Sequence, residues 1–358
     1  MTDVFAVQDE IASAITKRLR GTMHDEAERT RVRGGTRNLE AYELVLRGRA
    51  LQIKRGRFVA QAVTCFEQAI ALDSQYADAL ASLADSYRLM GVFGAAPFSE
   101  VMPKAKALAE RALAIDDRMA EAWSTLGAIE EQYELNNEKS DAYYARALEI
   151  DPRHARARAQ RALWRVVRGA MPTDEAVAEM HRAVQDDPFN AWVQGMHSFL
   201  CGIAGLHDES IAVAERAVSL DAESFFAQWN LLRAHAWAGH HDRAVQGAPA
   251  LLNASARNSW TLGLLGWTYG QMGRADRARA CYDELESRSR HEFVPPSWLA
   301  ILAGSAGLMD DAMQWAARAV TEHDPIVLWG RSLPLWSTLR TDSRLAAIMR
   351  PVWTGTRG

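Results

Sequence analysis

Apolar residues recur every three or four positions along most of this chain, with polar residues between them. This spacing places the apolar side chains on one face of an α-helix. The two-residue alternation that marks a half-buried β-strand does not occur in the sequence. Hydrophobic residues make up 48% of the chain and charged residues 24%, as in a folded domain rather than a disordered segment. The pattern therefore predicts an all-α protein.

The helical segments form a repeat. A glycine followed five residues later by a small residue recurs at a constant interval of 34 residues, in the pairs Gly205/Ser210, Gly239/Ala244, Gly273/Ala278 and Gly307/Ala312. We predict that the glycine ends the first helix of a pair in a left-handed conformation. The small residue should open the second helix, where two backbones approach closely. A period of 34 residues resembles the tetratricopeptide repeat, a pair of antiparallel helices.

About eight such pairs fit between residues 41 and 325. In the earlier pairs Asp73, Asp116 and Asp151 are predicted to cap the following helix. We divide the chain into an N-terminal helix and linker (1–37), the repeat array (38–326) and a capping segment (327–358). The apolar residues expected to cover the last repeat are Leu335, Trp336, Leu339, Leu345, Ile348 and Met349. The expected architecture is an all-α, right-handed superhelical solenoid with a C-terminal capping helix.

Four strings carry a broader resemblance: VFAVQDEIASAI (4–15), LEAYELVLRGRA (39–50), FEQAIALD (66–73) and LRTDSRLAAIM (339–349). The chain resembles the C-terminal repeat array of bacterial multidomain regulators. In these proteins an adenylate cyclase, winged-helix or kinase domain precedes a TolB-like domain and the repeats. The first string is similar to the last helix of the TolB-like domain, so the resemblance implies a fragment of a larger regulator. It departs at Ser343 and Leu345, where the group usually has Pro and Phe.

Charge, apolar runs and cysteine content exclude several classes of function. The net charge of −4 gives no general attraction to nucleic acid or anionic membranes. No apolar run is long enough to span a membrane. Cys65, Cys201 and Cys281 lie far apart, so we expect small buried apolar side chains rather than disulfides. The N-terminus lacks the pattern of a signal peptide, which favours a cytoplasmic location.

Two sequence features invite a catalytic or metal-binding interpretation. The string AGSAG (303–307) is similar to a nucleophile elbow, but Gly307 is the inter-helix glycine of a repeat and Ser305 falls at a helix end. A second group of polar residues lies at the turns of neighbouring repeats: His207, Asp208, His235, His240, His241 and Asp242. Solvated turn residues and a helix cap explain the group as well as zinc does. We therefore expect no enzyme activity, no cofactor and no metal.

A stripe of arginines marks the first helix of the fourth repeat: Arg158, Arg161, Arg165 and Arg168. Two registers are compatible with it. Counted forward from Pro152 the stripe faces the partner helix, and counted back from Ala176 it lines the concave groove. We favour the groove register, because burying unpartnered arginines costs several kcal/mol each. Neutralisation by Glu121 and Glu131 of the neighbouring helix is the alternative to recognition of an anion.

Aromatic side chains dominate the groove positions of repeats five to seven: Trp192, Phe199, Phe226, Trp229, Trp260 and Trp267. Arg233 is assigned to the same surface. Large rings of this kind are common binding hot spots. The alternative is that the fifth repeat is rotated, which makes Trp192 and Phe199 part of the core. With the arginine stripe, these rings predict a groove that is cationic at one end and aromatic at the other.

These features predict a non-catalytic scaffold that binds a protein or peptide segment in its concave groove. The alternative is the regulatory or sensor portion of a bacterial signalling protein, an adenylate cyclase or transcriptional regulator whose effector domain is missing. We expect neither nucleic acid nor membrane as a partner, and a homo-oligomer is compatible with the sequence.

The chain should show no turnover in cyclase, esterase or phosphatase assays, with or without zinc. This expectation follows because each candidate catalytic residue also fits a repeat turn. Turnover that is abolished by Ser305→Ala or His240→Ala would instead identify an active site.

Overall fold

A computed structural model describes residues 35–354, and the predicted helix and linker over 1–37 lie almost wholly outside this range. Eight antiparallel helix pairs follow one another, and no β-strand occurs among the described residues. The first four pairs are α1 (Leu39–Lys54) with α2 (Phe58–Leu72), α3 (Ala77–Val92) with α4 (Phe98–Ile115), α5 (Ala120–Ile129) with α6 (Asn137–Ile150), and α7 (Ala155–Val167) with α8 (Thr173–Asp186). The last four are α9 (Ala191–Ile203) with α10 (His207–Leu220), α11 (Phe225–Trp237) with α12 (His241–Ala254), α13 (Ser259–Gln271) with α14 (Ala275–Arg288), and α15 (Pro296–Ser305) with α16 (Met309–Thr321). The predicted all-helical solenoid of eight pairs is confirmed.

The turns inside the last four pairs have the predicted geometry. Gly205, Gly239, Gly273 and Gly307 adopt φ values between 71° and 80°, the left-handed region that a side chain disfavours. The small residue five positions later is buried in every case. The constant 34-residue spacing therefore reflects one geometric need, a reversal of the chain followed by close contact of two helices.

The aspartates of the early repeats do not cap helices as predicted. Asp73, Asp116 and Asp151 each end a second helix, and the Oδ1 atom of each accepts a hydrogen bond of 3.0 Å from the backbone N–H two residues later. The side chain thus stabilises the turn between repeats. Other polar residues cap helices, for example Asn38 before α1 and Asn190 before α9.

The C-terminal segment covers the last pair. Three short 3-10 turns (Pro325–Trp329, Pro334–Trp336 and Leu339–Thr341) lead into α17 (Ser343–Thr354), which packs on α16. The apolar residues predicted to face the last repeat are buried, apart from Ile348, which is half-buried. No helix in the described range is long and apolar enough to cross a membrane.

The solenoid closes on itself. The turn between α3 and α4 packs against the starts of α11 and α13, and Lys54 of α1 forms an ion pair with Glu223, 169 residues away. Apolar residues from the first two pairs and from the last five pairs share one continuous core. The inner faces of the first helices therefore form the interior of the molecule.

Ala278 tests the close approach of the two helices. Replacing this fully buried residue of α14 by leucine should reduce the free energy of unfolding by about 1–3 kcal/mol, because the added carbons overpack the helix pair. Ala280→Leu is the matched control, since Ala280 lies exposed on the same helix, and its effect should stay within about 0.5 kcal/mol. Urea unfolding followed by circular dichroism measures both; equal losses would contradict the close contact.

Candidate functional site

Of the six aromatic residues predicted to line the groove, five are buried and Trp260 is half-buried. Trp229 is only 1% exposed and Trp267 only 3%, and Trp192, Phe199 and Phe226 are also buried. The expectation that they line an open groove is therefore wrong for this conformation.

One residue of the chain itself occupies the space between these rings. Phe93, in the turn between α3 and α4, has its ring centroid 5.9 Å from Phe225, 6.2 Å from Phe226 and 5.5 Å from Trp260. The two phenylalanine contacts are edge-to-face, the geometry that aromatic quadrupoles favour. We call Phe93, Phe225, Phe226, Trp229 and Trp260 the aromatic cluster. It joins repeats that lie more than a hundred residues apart in sequence.

Hydrogen bonds from tryptophan side chains to backbone carbonyls hold the turn on this cluster. Nε1 of Trp260 donates to the carbonyl of Val92 at 3.1 Å, and Nε1 of Trp229 donates to the carbonyl of Trp260 at the same distance. Gly94 follows with a φ of 71°. A Cβ added to Gly94 would lie 2.6 Å from Pro295, so the close approach requires glycine.

The C-terminal segment covers the inner wall from the other side. The ring of Trp329 lies 4.4 Å from that of Trp164 and meets Phe199 edge-on at 5.0 Å. Because Trp329 follows the last repeat, the C-terminal segment both covers the end of the solenoid and fills part of its interior. A cleft of about 160 Å³ remains beside it, lined in part by Trp164, Arg168 and Trp353.

The arginine stripe pairs with carboxylates of the neighbouring helices, and Arg168 also lines the cleft beside Trp329. Arg158 pairs with Glu179 and Asp186 of α8, and Arg168 pairs with Glu131 and with Asp141 of α6. Arg161 and Arg165 lie 3.7 Å and 3.9 Å from Asp141. The favoured register was wrong for Arg158, Arg161 and Arg165, because the second helices on both sides supply carboxylates that reduce the penalty for half-burying them. Of the two glutamates considered as neutralising partners, Glu131 contacts the stripe, at Arg168.

Arg233 is not on the groove surface either. Its side chain is fully buried and lies 4.5 Å and 5.0 Å from the ring centroids of Trp237 and Phe199. Nη2 donates to Ser198 Oγ at 2.8 Å and Nε donates to Asn230 Oδ1 at 3.1 Å. No carboxylate in the described range lies within ion-pair distance, and burial lowers the pKa of Arg233 to about 9.

A different set of charged residues lies on the inner wall. We call Arg55, Asp85, Arg88, Glu121 and Arg156 the buried charge cluster. Nη2 of Arg88 lies 2.7 Å from Asp85, and Arg156 forms ion pairs with both Asp85 and Glu121. Nη1 of Arg55 lies 3.9 Å from Asp85, and its Nε and Nη1 have no hydrogen-bond partner among residues 35–354.

The buried charge cluster carries one more positive than negative charge. Burial alone would raise the pKa of Asp85, but Arg156, Arg88 and Arg55 outweigh it and hold that pKa below its ordinary value. Burial and the charge of Arg156 lower the pKa of Arg55 to about 9. The guanidinium groups of Arg55 and Arg156 lie 5.9 Å and 6.0 Å from the ring of Trp192. Cationic and aromatic surfaces therefore do meet on the inner wall, through other arginines than those of the stripe.

The candidate catalytic features take part in ordinary repeat contacts. Ser305 Oγ donates to the carbonyl of Ile301 in its own helix at 2.8 Å. The rings of His235 and His240 lie 5.9 Å apart at a turn. All three cysteines are buried, as predicted, and burial raises the pKa of Cys281 to about 11.

Known proteins confirm the repeat at the level of the fold. Residues 261–291 match the tetratricopeptide repeat family. No curated protein sequence matches the chain. Human IFIT1, solved as a dimer with m7Gppp-AAAA, is similar with a TM-score of 0.53 and 17% identity over 78% of this chain and 72% of that one. The APC/C hetero-tetramer Cut9-Hcn1 is similar with a TM-score of 0.56 and 12% identity over 83% of this chain and 55% of that one. At these identities the likeness shows the fold alone.

Asp85→Asn tests the buried charge cluster. At pH 7 the substitution should lower the free energy of unfolding by about 3 kcal/mol, because it leaves buried arginines without a full counter-charge. The pKa of Asp85 is depressed in the folded state, so its contribution is present above its unfolded pKa of about 4 and declines as the pH falls further. The difference between wild type and variant should therefore shrink between pH 4 and pH 2.

Urea unfolding across this pH range provides the measurement. Asp283→Asn is the matched control, since Asp283 forms an exposed ion pair with Arg279 and should contribute less than about 1 kcal/mol. A loss at Asp85 that is no larger than the loss at Asp283 would contradict the structural role of the cluster.

Proposed function

We propose that the chain is a non-catalytic protein-interaction scaffold that binds a segment of a partner protein at the aromatic cluster, in the position that its own α3–α4 turn occupies. The contact of Phe93 with Phe225, Phe226 and Trp260 carries this proposal. It defines a place on the inner wall that accepts an aromatic side chain.

The contacts of the turn resemble those by which grooves recognise peptides. A side chain enters a pocket while a side-chain donor of the wall, Trp260 Nε1, bonds the backbone carbonyl beside it. Recognition of this kind depends on one buried anchor and on backbone hydrogen bonds. A partner segment with Phe, Tyr or Trp next to an accessible carbonyl offers the same groups.

Charge adds a second element to the expected partner. The buried charge cluster has an excess guanidinium, and two of its arginines lie near Trp192 on the same inner wall. An acidic residue near the aromatic anchor would pair with it, because guanidinium and carboxylate groups form strong directional contacts. The partner class is therefore an aromatic segment with a nearby acidic residue.

Binding at this place requires the α3–α4 turn to move. Exposing one phenylalanine side chain costs about 1.5–3 kcal/mol, which lowers the apparent affinity of a partner by roughly 10- to 100-fold. The turn thus acts as an internal competitor, and Gly94 lies within it at a φ of 71°.

A specific surface feature favours the second candidate, a regulatory portion of a larger bacterial signalling protein. Leu39, Leu46 and Ile53 are exposed and follow one another at seven-residue intervals, so they lie along one side of α1 at the N-terminal end of the array. In a solenoid this end face is where a further unit packs. An in-frame cyclase or winged-helix domain upstream in the gene would support this candidate, and its absence would count against it.

Phe93→Ala should raise the affinity for an aromatic segment roughly tenfold or more, because the internal competitor is removed. Dodecapeptides that bind this variant are selected from a random library. Fluorescence anisotropy then measures the affinity of the selected peptides for each form of the chain. Recovered peptides should contain an aromatic residue and should lose affinity by about 2 kcal/mol when Trp260→Ala is added. Phe189→Ala is the control, since Phe189 is 79% exposed at a distant turn.

Gly94→Ala provides an independent test. A Cβ at this position would lie 2.6 Å from Pro295, and the φ of 71° disfavours a side chain, so the substitution should loosen the α3–α4 turn. The affinity for the selected peptides should therefore rise, as it does for Phe93→Ala. An affinity no higher than that of wild type would contradict the proposed competition by the turn.

A further inference from the structure

Three side chains bring metal-ligating atoms together on the outer side of the solenoid. His181 of α8, His197 of α9 and Glu209 of α10 meet where the fourth and fifth helix pairs pack together. Their nearest donor atoms all lie within 4.8 Å of one another. The group is separate from the aromatic cluster and from the turn histidines that the sequence suggested.

The distances match the requirements of a tetrahedral ion. Nε2 of His181 lies 3.4 Å from Oε1 of Glu209, and Nε2 of His197 lies 3.5 Å from the same oxygen. Zinc binds imidazole nitrogen and carboxylate oxygen at about 2.0–2.2 Å, which separates two tetrahedral ligands by roughly 3.3–3.6 Å. The donor atoms of the two imidazole rings lie within 4.8 Å of one another and would come closer when an ion binds.

His197 gives an independent indication of a missing ligand. The residue is 5% exposed, and neither of its ring nitrogens has a hydrogen-bond partner within the described part of the chain. A buried polar group without a partner costs free energy. An ion bound to Nε2 would satisfy this nitrogen, whose contact with Oε1 of Glu209 at 3.5 Å lacks the geometry of a hydrogen bond.

The site is open to solvent on one side. His181 and Glu209 are about half exposed, whereas His197 forms the floor. The rings of His181 and His197 meet edge-on with centroids 4.8 Å apart. An ion can therefore enter from solvent, and a water molecule can complete its coordination.

We infer that His181, His197 and Glu209 form a binding site for a divalent transition-metal ion, and that Zn²⁺ is the preferred occupant. Two imidazoles and one carboxylate form a ligand set that suits zinc. The ion would link α8, α9 and α10 and so fix the fourth pair on the fifth. This inference does not depend on the proposed function, because the site lies away from the inner wall.

Titration of the tag-free, metal-stripped chain with Co²⁺ tests the site, since tetrahedral Co²⁺ has a visible absorption band that Zn²⁺ abolishes by displacement. We expect saturation at one equivalent. His181→Ala and Glu209→Gln should each weaken binding at least tenfold. Both side chains are exposed enough for the fold to tolerate the change, which circular dichroism verifies. His291→Ala is the matched control, as His291 is exposed at the turn between α14 and α15.

Thermal unfolding gives a second measurement, since an ion that binds only the folded chain raises its melting temperature. Zn²⁺ should raise the melting temperature of wild type and His291→Ala but not that of His181→Ala. The inference is overturned if Co²⁺ binding does not saturate, if His181→Ala and Glu209→Gln bind as well as wild type, or if His291→Ala loses as much affinity as they do.

Discussion

The contact of Phe93 with Phe225, Phe226 and Trp260 joins two parts of the solenoid that no turn or neighbouring repeat would bring together. In a repeat array each unit contacts mainly its neighbours, so an open groove is the default result of stacking. Here the α3–α4 turn crosses that groove, and Trp329 of the C-terminal segment enters it from the other side. The inner faces become core, and their large rings contribute to stability as well as to any recognition.

The inner wall also contains buried charges. Asp85 and Arg88 lie on α3, Glu121 on α5 and Arg156 on α7, so the cluster joins the first helices of three consecutive repeats, with Asp85 and Arg88 fully out of water. Ion pairs of this kind contribute little net stability compared with apolar packing, but breaking one is costly. The cluster therefore specifies how the repeats meet more than it strengthens them. Its excess positive charge is the feature that links this packing to the proposed acidic partner.

The fold could be predicted from the sequence because the repeat depends on the geometry of short local segments. The left-handed turn at Gly273 and the small Ala278 after it have requirements that fall within one repeat. The candidate site was not predictable in the same way. The register of Arg158 depended on Glu179 and Asp186 of another helix. The burial of Phe226 depends on its contact with Phe93, more than a hundred residues earlier, and no repeat period in the sequence predicts such a contact.

The most direct test of closure is a double-mutant cycle between Phe93 and Trp260, which contact one another only if the groove is filled. The free energies of unfolding of wild type, Phe93→Ala, Trp260→Ala and the double variant give the coupling between the two rings. A closed solenoid predicts a coupling of about 0.5–1.5 kcal/mol, the usual value for an aromatic pair. Effects that add to within about 0.3 kcal/mol would contradict the closed inner wall.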